Sequence, residues 1–227
     1  MDEDGERRRR VARRWWAVPV VGLVLLAGCS SSATAVPDRV VVIGDSSAAL
    51  EQSALASLLR GHYSTGYLIG NSERITPIAT SAGSHLDDGG APAVVVVNLG
   101  TNDALRARSA PDDVAPMQPL LDAVAQVPCV VLTTVSLGAD EKSSSSVALV
   151  VNDQIKRQAA ADPRRFKVVD WENFLATLPA ASLPTYVRAD RVRPTPAGAR
   201  WLAQSDLAGI RSCGTTAQPT VIGAMGH

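Results

Sequence analysis

Two short motifs place side chains suited to acyl chemistry directly after apolar runs. Ser46 ends the sequence GDS, and Asn102 lies in the sequence GTND. A serine at the start of a helix lies beside free backbone N–H groups that favour a developing negative charge, and an asparagine amide can donate to an oxyanion. Both residue types also occur at such positions as structural caps. Together, the two motifs are typical of a nucleophile beside an oxyanion site.

The elements that position these motifs alternate between strand-like and helix-like patterns. Apolar runs predict buried strands at 39–44, 92–100, 128–135 and 166–171, with a weaker fifth strand at 74–80. Apolar residues at helical spacing predict helices at 46–61, 111–126, 145–160 and 195–210. The sequence therefore predicts an α/β fold, a three-layer α/β/α sandwich around a mostly parallel five-stranded sheet. Both motifs then lie at the carboxyl edge of that sheet, where open α/β sheets bind ligands.

In this order the motifs resemble those of the SGNH or GDSL hydrolase family. GDS matches the nucleophile block, GTND the asparagine block, and Asp190 followed by PTPAG the final block, which in the family reads DxxH. Gly83 matches the oxyanion glycine, within the stretch ATSAGSHLDDGG that we expect to be a flexible loop. The resemblance covers about residues 39–210.

The resemblance implies a three-layer sandwich that cleaves or transfers ester-linked acyl groups. Ser46 would be the nucleophile, and Asp190 would orient the histidine base. The backbone N–H groups of Ser46 and Gly83 and the amide of Asn102 would form the oxyanion hole. No cofactor is implied, and no cysteine or histidine spacing in the chain suggests a metal site.

The sequence departs from the family at position 193, where Arg193 replaces the histidine. A guanidinium offers no lone pair and has a pKa above about 12, so it cannot accept the proton of Ser46. Loss of the base in a comparable serine hydrolase lowers turnover by about 10⁶. We therefore expect impaired catalysis. Arg193 would either form a structural ion pair with Asp190 or Asp45, or face the cleft and bind a carboxylate or other anion.

His85 is the candidate for a displaced base, because it follows Gly83 by two residues in the expected loop. His62 follows a helix that carries it about 20 Å from Ser46, and the third histidine closes the C-terminal tail. A direct pair of Ser46 and Asp190 is the remaining alternative, but a carboxylate with a pKa near about 4 is a weak base for a hydroxyl.

The N-terminal residues have the pattern of a bacterial lipoprotein signal. Six arginines precede an uncharged run of twelve residues, 17–28, whose last three residues form LAGC with Cys29; this sequence resembles a lipobox with Cys29 as the acylated residue. A short anchor helix and a plain secretory signal are the alternatives. We predict a signal peptide at 1–28, a lipidated tether at 29–38, the hydrolase-like domain at 39–212 and a tail at 213–227. The protein would be held on the extracytoplasmic face of the cell membrane.

The net charge argues against one class of partner, and the cysteines allow a disulfide. Removal of the signal peptide takes away six basic and four acidic residues, which changes the formal net charge from 0 to −2. Nucleic acid is therefore not an expected partner, because it requires a basic surface. In an exported chain Cys129 and Cys213 either pair or remain buried thiols. We take a monomer as the default state.

Two hypotheses follow. The first is an esterase or O-acyltransferase-like enzyme that acts on an acylated glycan or lipid of the cell envelope. The second is a pseudoenzyme that keeps the cleft of Ser46 to bind a glycan or an envelope protein. They differ in whether ester hydrolysis depends on Ser46.

Overall fold

A six-stranded parallel sheet forms the centre of the domain. The computed structural model describes residues 38–106, 117–138, 142–214 and 221–222. Within these residues the strands are β1 (Arg39–Gly44), β2 (Ser64–Ile69), β3 (Val94–Asn98), β4 (Cys129–Thr133), β5 (Phe166–Val169) and β6 (Val221–Ile222). They lie in the order β2-β1-β3-β4-β5-β6, and every pairing is parallel.

Both faces of the central strands are buried. Alternate residues of a strand point to opposite faces, and in β1 Val40 and Val42 join one core cluster while Val41 and Ile43 join the other. All five residues of β3 are buried. Such strands require helices on both sides of the sheet.

The helices form the two outer layers. On one face lie α1 (Ser46–Leu59), α6 (Trp171–Thr177), α7 (Leu183–Tyr186) and α8 (Pro196–Ser212), and α1 packs along α8. On the other face lie α2 (Ile75–Asp87), α3 (Thr101–Arg106), α4 (Gln118–Ala123) and α5 (Lys142–Ala161). A 3-10 turn spans Ala180–Ser182. The predicted three-layer α/β/α sandwich is confirmed.

One predicted strand is wrong. Residues 74–80 were expected to form a strand, but they belong to helix α2, and the strand that precedes them is β2. The buried residues of α2 recur at helical spacing: Ile75, Ile78, Ala79, Ala82 and Leu86. β2 escaped prediction because it is an edge strand whose residues are only partly buried, so it lacks a continuous apolar run.

The predicted ends of the chain are only partly described. The signal peptide and all of the tether except Asp38 lie outside the described residues. The expected tail contributes Val221–Ile222 as the sixth strand, which pairs with β5. The predicted helix at 111–126 is observed as the shorter α4, and residues 111–116 are outside the described part. None of the described helices combines the length and apolar character needed to cross a membrane.

Cys129 and Cys213 form a disulfide, one of the two alternatives for this pair. Their Cα atoms are 5.8 Å apart, and the bond joins the start of β4 to the residue after α8. Because it closes a long loop, with 84 residues of sequence separation, it restricts the unfolded chain strongly.

Replacing both cysteines by alanine should lower the free energy of unfolding by about 2–5 kcal/mol, as for other native disulfides. Urea unfolding of the full chain measures this. Reductant should shift the wild-type midpoint and leave the midpoint of the double variant in place. A wild-type midpoint that does not respond to reductant would contradict the stabilising role.

Candidate active site

The turn around Ser46 is fixed by its neighbours. Asp45 caps helix α1 by accepting a hydrogen bond from the Ser47 amide at 2.9 Å, and its own amide donates to Asn98 O at 3.1 Å. A Cβ atom at Gly44 would lie 2.1 Å from Ala48 Cβ, so the strand can pass into the helix only through glycine. Ser46 is the first helical residue and is half-buried between two buried neighbours.

The GTND motif follows β3 at the same edge of the sheet. Gly100 has a φ of +111°, and a Cβ atom there would lie 2.8 Å from Val151 Cγ1, so this turn also requires glycine. Asn102 is buried and donates from Nδ2 to Glu73 O at 3.0 Å. An amide nitrogen carries two donors. One N–H of Asn102 is therefore left for an oxyanion.

Asp103 ties this motif to the segment that follows β2. Its carboxylate accepts from the Ile75 amide at 3.0 Å and from Arg74 Nε at 3.2 Å. The chain from Gly70 to Ile75 therefore lies beside the GTND motif. The structure brings together the ends of β1, β2 and β3, as the parallel order requires.

The expected role of Gly83 does not hold. Gly83 lies inside helix α2 and not in a loop, and a Cβ atom there would meet no atom within 4 Å. Its amide is in the helical hydrogen-bond ladder, so it cannot point at the Ser46 cleft. Gly70, directly after β2, also lies at the carboxyl edge. Its amide donates to Gly44 O at 3.0 Å. Recognition of β2 would have been the signal for Gly70.

His85 lies at the opposite pole of the sheet from Ser46. Its carbonyl and that of Leu86 accept hydrogen bonds from Arg39, the first residue of β1, at 3.4 and 2.9 Å. β1 then runs about 17 Å to the Ser46 turn at about 3.3 Å per residue. The expectation of His85 as a displaced base is therefore wrong. His62 lies at the same far pole, two residues before β2.

Asp190 and Arg193 form an ion pair within one tight loop. Val187 and Pro194 pair as an antiparallel bridge that closes the loop. Asp190 Oδ1 accepts from the amides of Val192 and Arg193 at 3.0 Å each, and Oδ2 accepts from Arg193 Nε at 2.6 Å. Of the two readings of Arg193, the structure shows the ion pair, and the partner is Asp190. About half of the Arg193 side chain remains exposed (51%).

The loop lies at the carboxyl edge together with Ser46. Ser136, three residues after the end of β4, donates from Oγ to Arg191 O at 2.8 Å. A Cβ atom at Gly138 would lie 2.6 Å from the same oxygen, so the contact is close. Arg191 itself has a φ of +55°, an unusual conformation for a residue with a side chain. The structure thus places Ser46, Asn102 and the loop at one edge.

The carboxyl groups of this edge differ in their environments. Burial raises the pKa of Asp45 to about 6, opposed by the hydrogen bond from the Ser47 amide. Partial burial acts to raise the pKa of Asp190, but hydrogen bonds from Arg193 and Val192 and the Arg193 charge hold it below its ordinary value. Asp190 is therefore a carboxylate whose partner is a permanent cation.

The arrangement can bind and polarise a carbonyl group, and neither histidine in the described ranges, His62 or His85, lies at this edge. No described side chain hydrogen-bonds to the Ser46 hydroxyl. A guanidinium cannot remove its proton. No group of three or more His, Cys, Asp or Glu residues in the described ranges could hold a metal ion.

Comparison with known proteins identifies a family and a shared fold. The family model described as GDSL-like Lipase/Acylhydrolase family matches residues 8–201. The solved catalytic domain of Streptococcus pneumoniae peptidoglycan O-acetyltransferase A has a similar fold, with a TM-score of 0.63 and 17% identity over 82% of this chain and 99% of that chain. No curated protein matches the chain in sequence.

Two further solved structures have the same fold. A lipolytic G-D-S-L family protein from Veillonella parvula gives a TM-score of 0.62 at 17% identity, over 75% of this chain and 96% of that chain. A catalytic mutant of Axe2, an acetylxylan esterase from Geobacillus stearothermophilus, gives 0.61 at 18% identity, over 76% and 94% of the two chains.

Replacing Arg193 by glutamine should raise the pKa of Asp190, because the charge of Arg193 is lost while the two backbone donors remain. Carboxyl-carbon NMR titration of the full chain measures the shift. Arg157→Gln is the matched control, since it removes an exposed arginine from its pair with Asp153 on α5. Identical Asp190 titrations in the wild type and Arg193→Gln would contradict the ion pair's contribution.

Proposed function

This chain belongs to the GDSL-like lipase/acylhydrolase family, and from that membership we propose an esterase-like or O-acyltransferase-like protein whose catalysis is strongly impaired. The observation that carries the proposal is the bond from Arg193 Nε to Asp190, at the position where the family's base would be oriented. Both histidines in the described part of the chain lie at the far pole. The described edge therefore offers no imidazole to Ser46.

The remaining parts of the site still support weak acyl chemistry. Ser46 provides the hydroxyl, its backbone N–H lies at the start of a helix, and Asn102 keeps an amide donor. Serine hydrolases that lose the base retain about 10³ to 10⁴ over the reaction in water from the oxyanion hole and binding. We expect a residual rate of that order for an ester bound in this cleft.

The substrate class we propose is an acyl ester on a glycan or lipid of the cell envelope. Two of the structurally similar proteins are named as a peptidoglycan O-acetyltransferase and an acetylxylan esterase, and both names refer to acetyl groups on polysaccharides. The site suits such a group, because acyl transfer needs a nucleophile and an oxyanion donor but no cofactor.

We further propose that the protein is anchored to the membrane through lipidated Cys29. The signal pattern before Cys29 supports this, and the disulfide of Cys129 and Cys213 suits an oxidising compartment. Asp38, the first described residue, lies at the amino edge of the sheet, directly before β1.

A non-catalytic binding protein is the second candidate. It is favoured by the exposed guanidinium of Arg193, whose contact with Asp190 uses Nε. The fork of a guanidinium carries five N–H donors, and the Nη groups suit a carboxylate or other anion. An acidic glycan or an envelope protein would supply such a group.

Restoring the base should restore hydrolysis. Arg193→His puts an imidazole next to Asp190, and a positioned general base contributes about 10²–10⁴-fold. We expect the full chain to hydrolyse a chromogenic acetyl ester about 100-fold faster than the wild type. Arg191→His, in the same loop, is the matched control and should not raise the rate.

Ser46→Ala separates the two candidates. If the wild type hydrolyses the ester above the buffer rate and Ser46→Ala abolishes the reaction, the binding-only candidate is wrong. If Ser46→Ala does not change the wild-type rate, the site does not catalyse. No gain in Arg193→His, in a variant that folds as the wild type does, would show that the cleft has lost more than its base.

Membrane attachment should depend on Cys29. Cys29→Ser removes the sulfur that accepts the acyl chain, so the protein should move from the membrane fraction to the soluble extracytoplasmic fraction and should not incorporate a labelled fatty acid. Replacing Ser30 by alanine is the control and should leave labelling intact. Equal membrane association of wild type and Cys29→Ser would support an uncleaved anchor.

A further inference from the structure

Two carboxyl groups face each other inside the domain, behind the turn that carries Ser46. Glu51 lies on α1, and Asp206 lies on α8, where the two helices pack together. Both residues have no exposed surface. We call them the carboxyl pair. No described lysine, arginine or histidine forms an ion pair with either residue.

The carboxyl pair has too few donors for two negative charges. Thr133 Oγ1 donates to Asp206 Oδ1 at 3.4 Å, a long bond. Both Glu51 oxygens and Asp206 Oδ2 are buried and accept no hydrogen bond from another group. An unpaired carboxylate in such surroundings is strongly destabilising, and two together add their mutual repulsion.

The neighbouring elements supply no compensating cation. The titratable groups that face Glu51 are Asp45 at the end of β1 and Tyr67 on β2, and both would add negative charge. β3 offers the Asn98 amide and β4 the Thr133 hydroxyl. On β5, Lys167 donates its ammonium to Pro163 O at 2.7 Å.

We propose that Glu51 and Asp206 share a proton, donated by one carboxyl O–H to a carboxylate oxygen of the other, and that this bond positions α1 against α8. α1 begins at Ser46, and α8 begins three residues after Arg193. The carboxyl pair therefore holds the two parts of the candidate site in register. It acts through the helices and touches no substrate. The proposal does not depend on whether Ser46 reacts.

The pKa values of both carboxyl groups are raised, as a shared proton requires. Burial is the largest cause that raises the pKa of Asp206 to about 7, and burial followed by the Asp206 charge raises the pKa of Glu51 well above its ordinary value. In the unfolded chain both groups ionise near about pH 4. The folded state therefore binds more protons above that pH. The stabilisation is complete below about pH 4 and is lost as the pH rises through the folded values.

Urea unfolding of the full chain between pH 5 and pH 8 tests the pair. Each extra proton held by the folded state raises the unfolding constant about tenfold per pH unit. Glu51→Gln keeps the side-chain size and provides a permanent N–H donor to Asp206, so it should flatten this dependence, and Glu51→Gln with Asp206→Asn should flatten it further. Asp87→Asn is the matched control, because it neutralises an exposed carboxylate at the end of α2 and should keep the wild-type slope.

Infrared difference spectra give a second readout, and its wild-type arm does not depend on the stability of any variant. The wild type at pH 6 should show the C=O band of a protonated carboxyl group, and Glu51→Gln should lose intensity in it. Absence of this band from the wild type at pH 6 would overturn the proposal. Equal pH slopes in the wild type and the folded double variant would also overturn it.

Discussion

The ion pair of Asp190 and Arg193 is the interaction on which both proposed functions of this domain depend. Asp190 is held by two backbone amides and the Arg193 side chain, so both of its oxygens are committed inside one loop. In the hydrolases that the chain resembles, the equivalent carboxylate orients a base. Here it orients a permanent cation. We propose that this loop supplies a fixed positive charge in place of proton transfer, and both candidate functions follow from that proposal.

The parallel sheet explains why the residue at position 193 matters for Ser46. Because all strands run in one direction, the turns after β1 and β3 and the loop before α8 meet at a single edge. Gly44 and Gly100 allow the chain to turn there without a clash. These features could be predicted from the sequence, since continuous valine runs that end in glycine identify buried parallel strands and their turns. The predicted positions of Ser46, Asn102 and Asp190 at this edge agree with the structure.

The errors of the sequence analysis have one physical origin. β2 is half exposed at the edge of the sheet, so its residues lack the continuous apolar run that identified the central strands. Because β2 was not recognised, helix α2 was predicted as a strand followed by a loop. Helix α2 runs from the carboxyl edge back to the amino edge and carries Gly83 and His85 away from Ser46. The sequence analysis took this segment for a loop and therefore placed both residues in the active site. The buried Glu51 was missed for a related reason: a charged residue in a helix is read as solvent-facing unless its partner is known.

The domain has two unusual features, the carboxyl pair and the ion pair of Asp190 and Arg193, and helix α8 connects them. The carboxyl pair lies between α1 and α8, and the loop that carries Arg193 leads directly into α8. A buried acid without a cation is unfavourable unless a proton or a donor satisfies it. In our proposal the same helix is fixed on its core side by two carboxyl groups that share a proton, and it is preceded by a loop whose arginine always stays charged. Sequences depart from the usual residue preferences mainly where function or strain requires it. Here the two departures are the buried carboxyl pair and Arg193, and both concern the position of one loop relative to Ser46. Under the proposed function, the cleft keeps a fixed geometry although it has no base, as a site retained for binding requires.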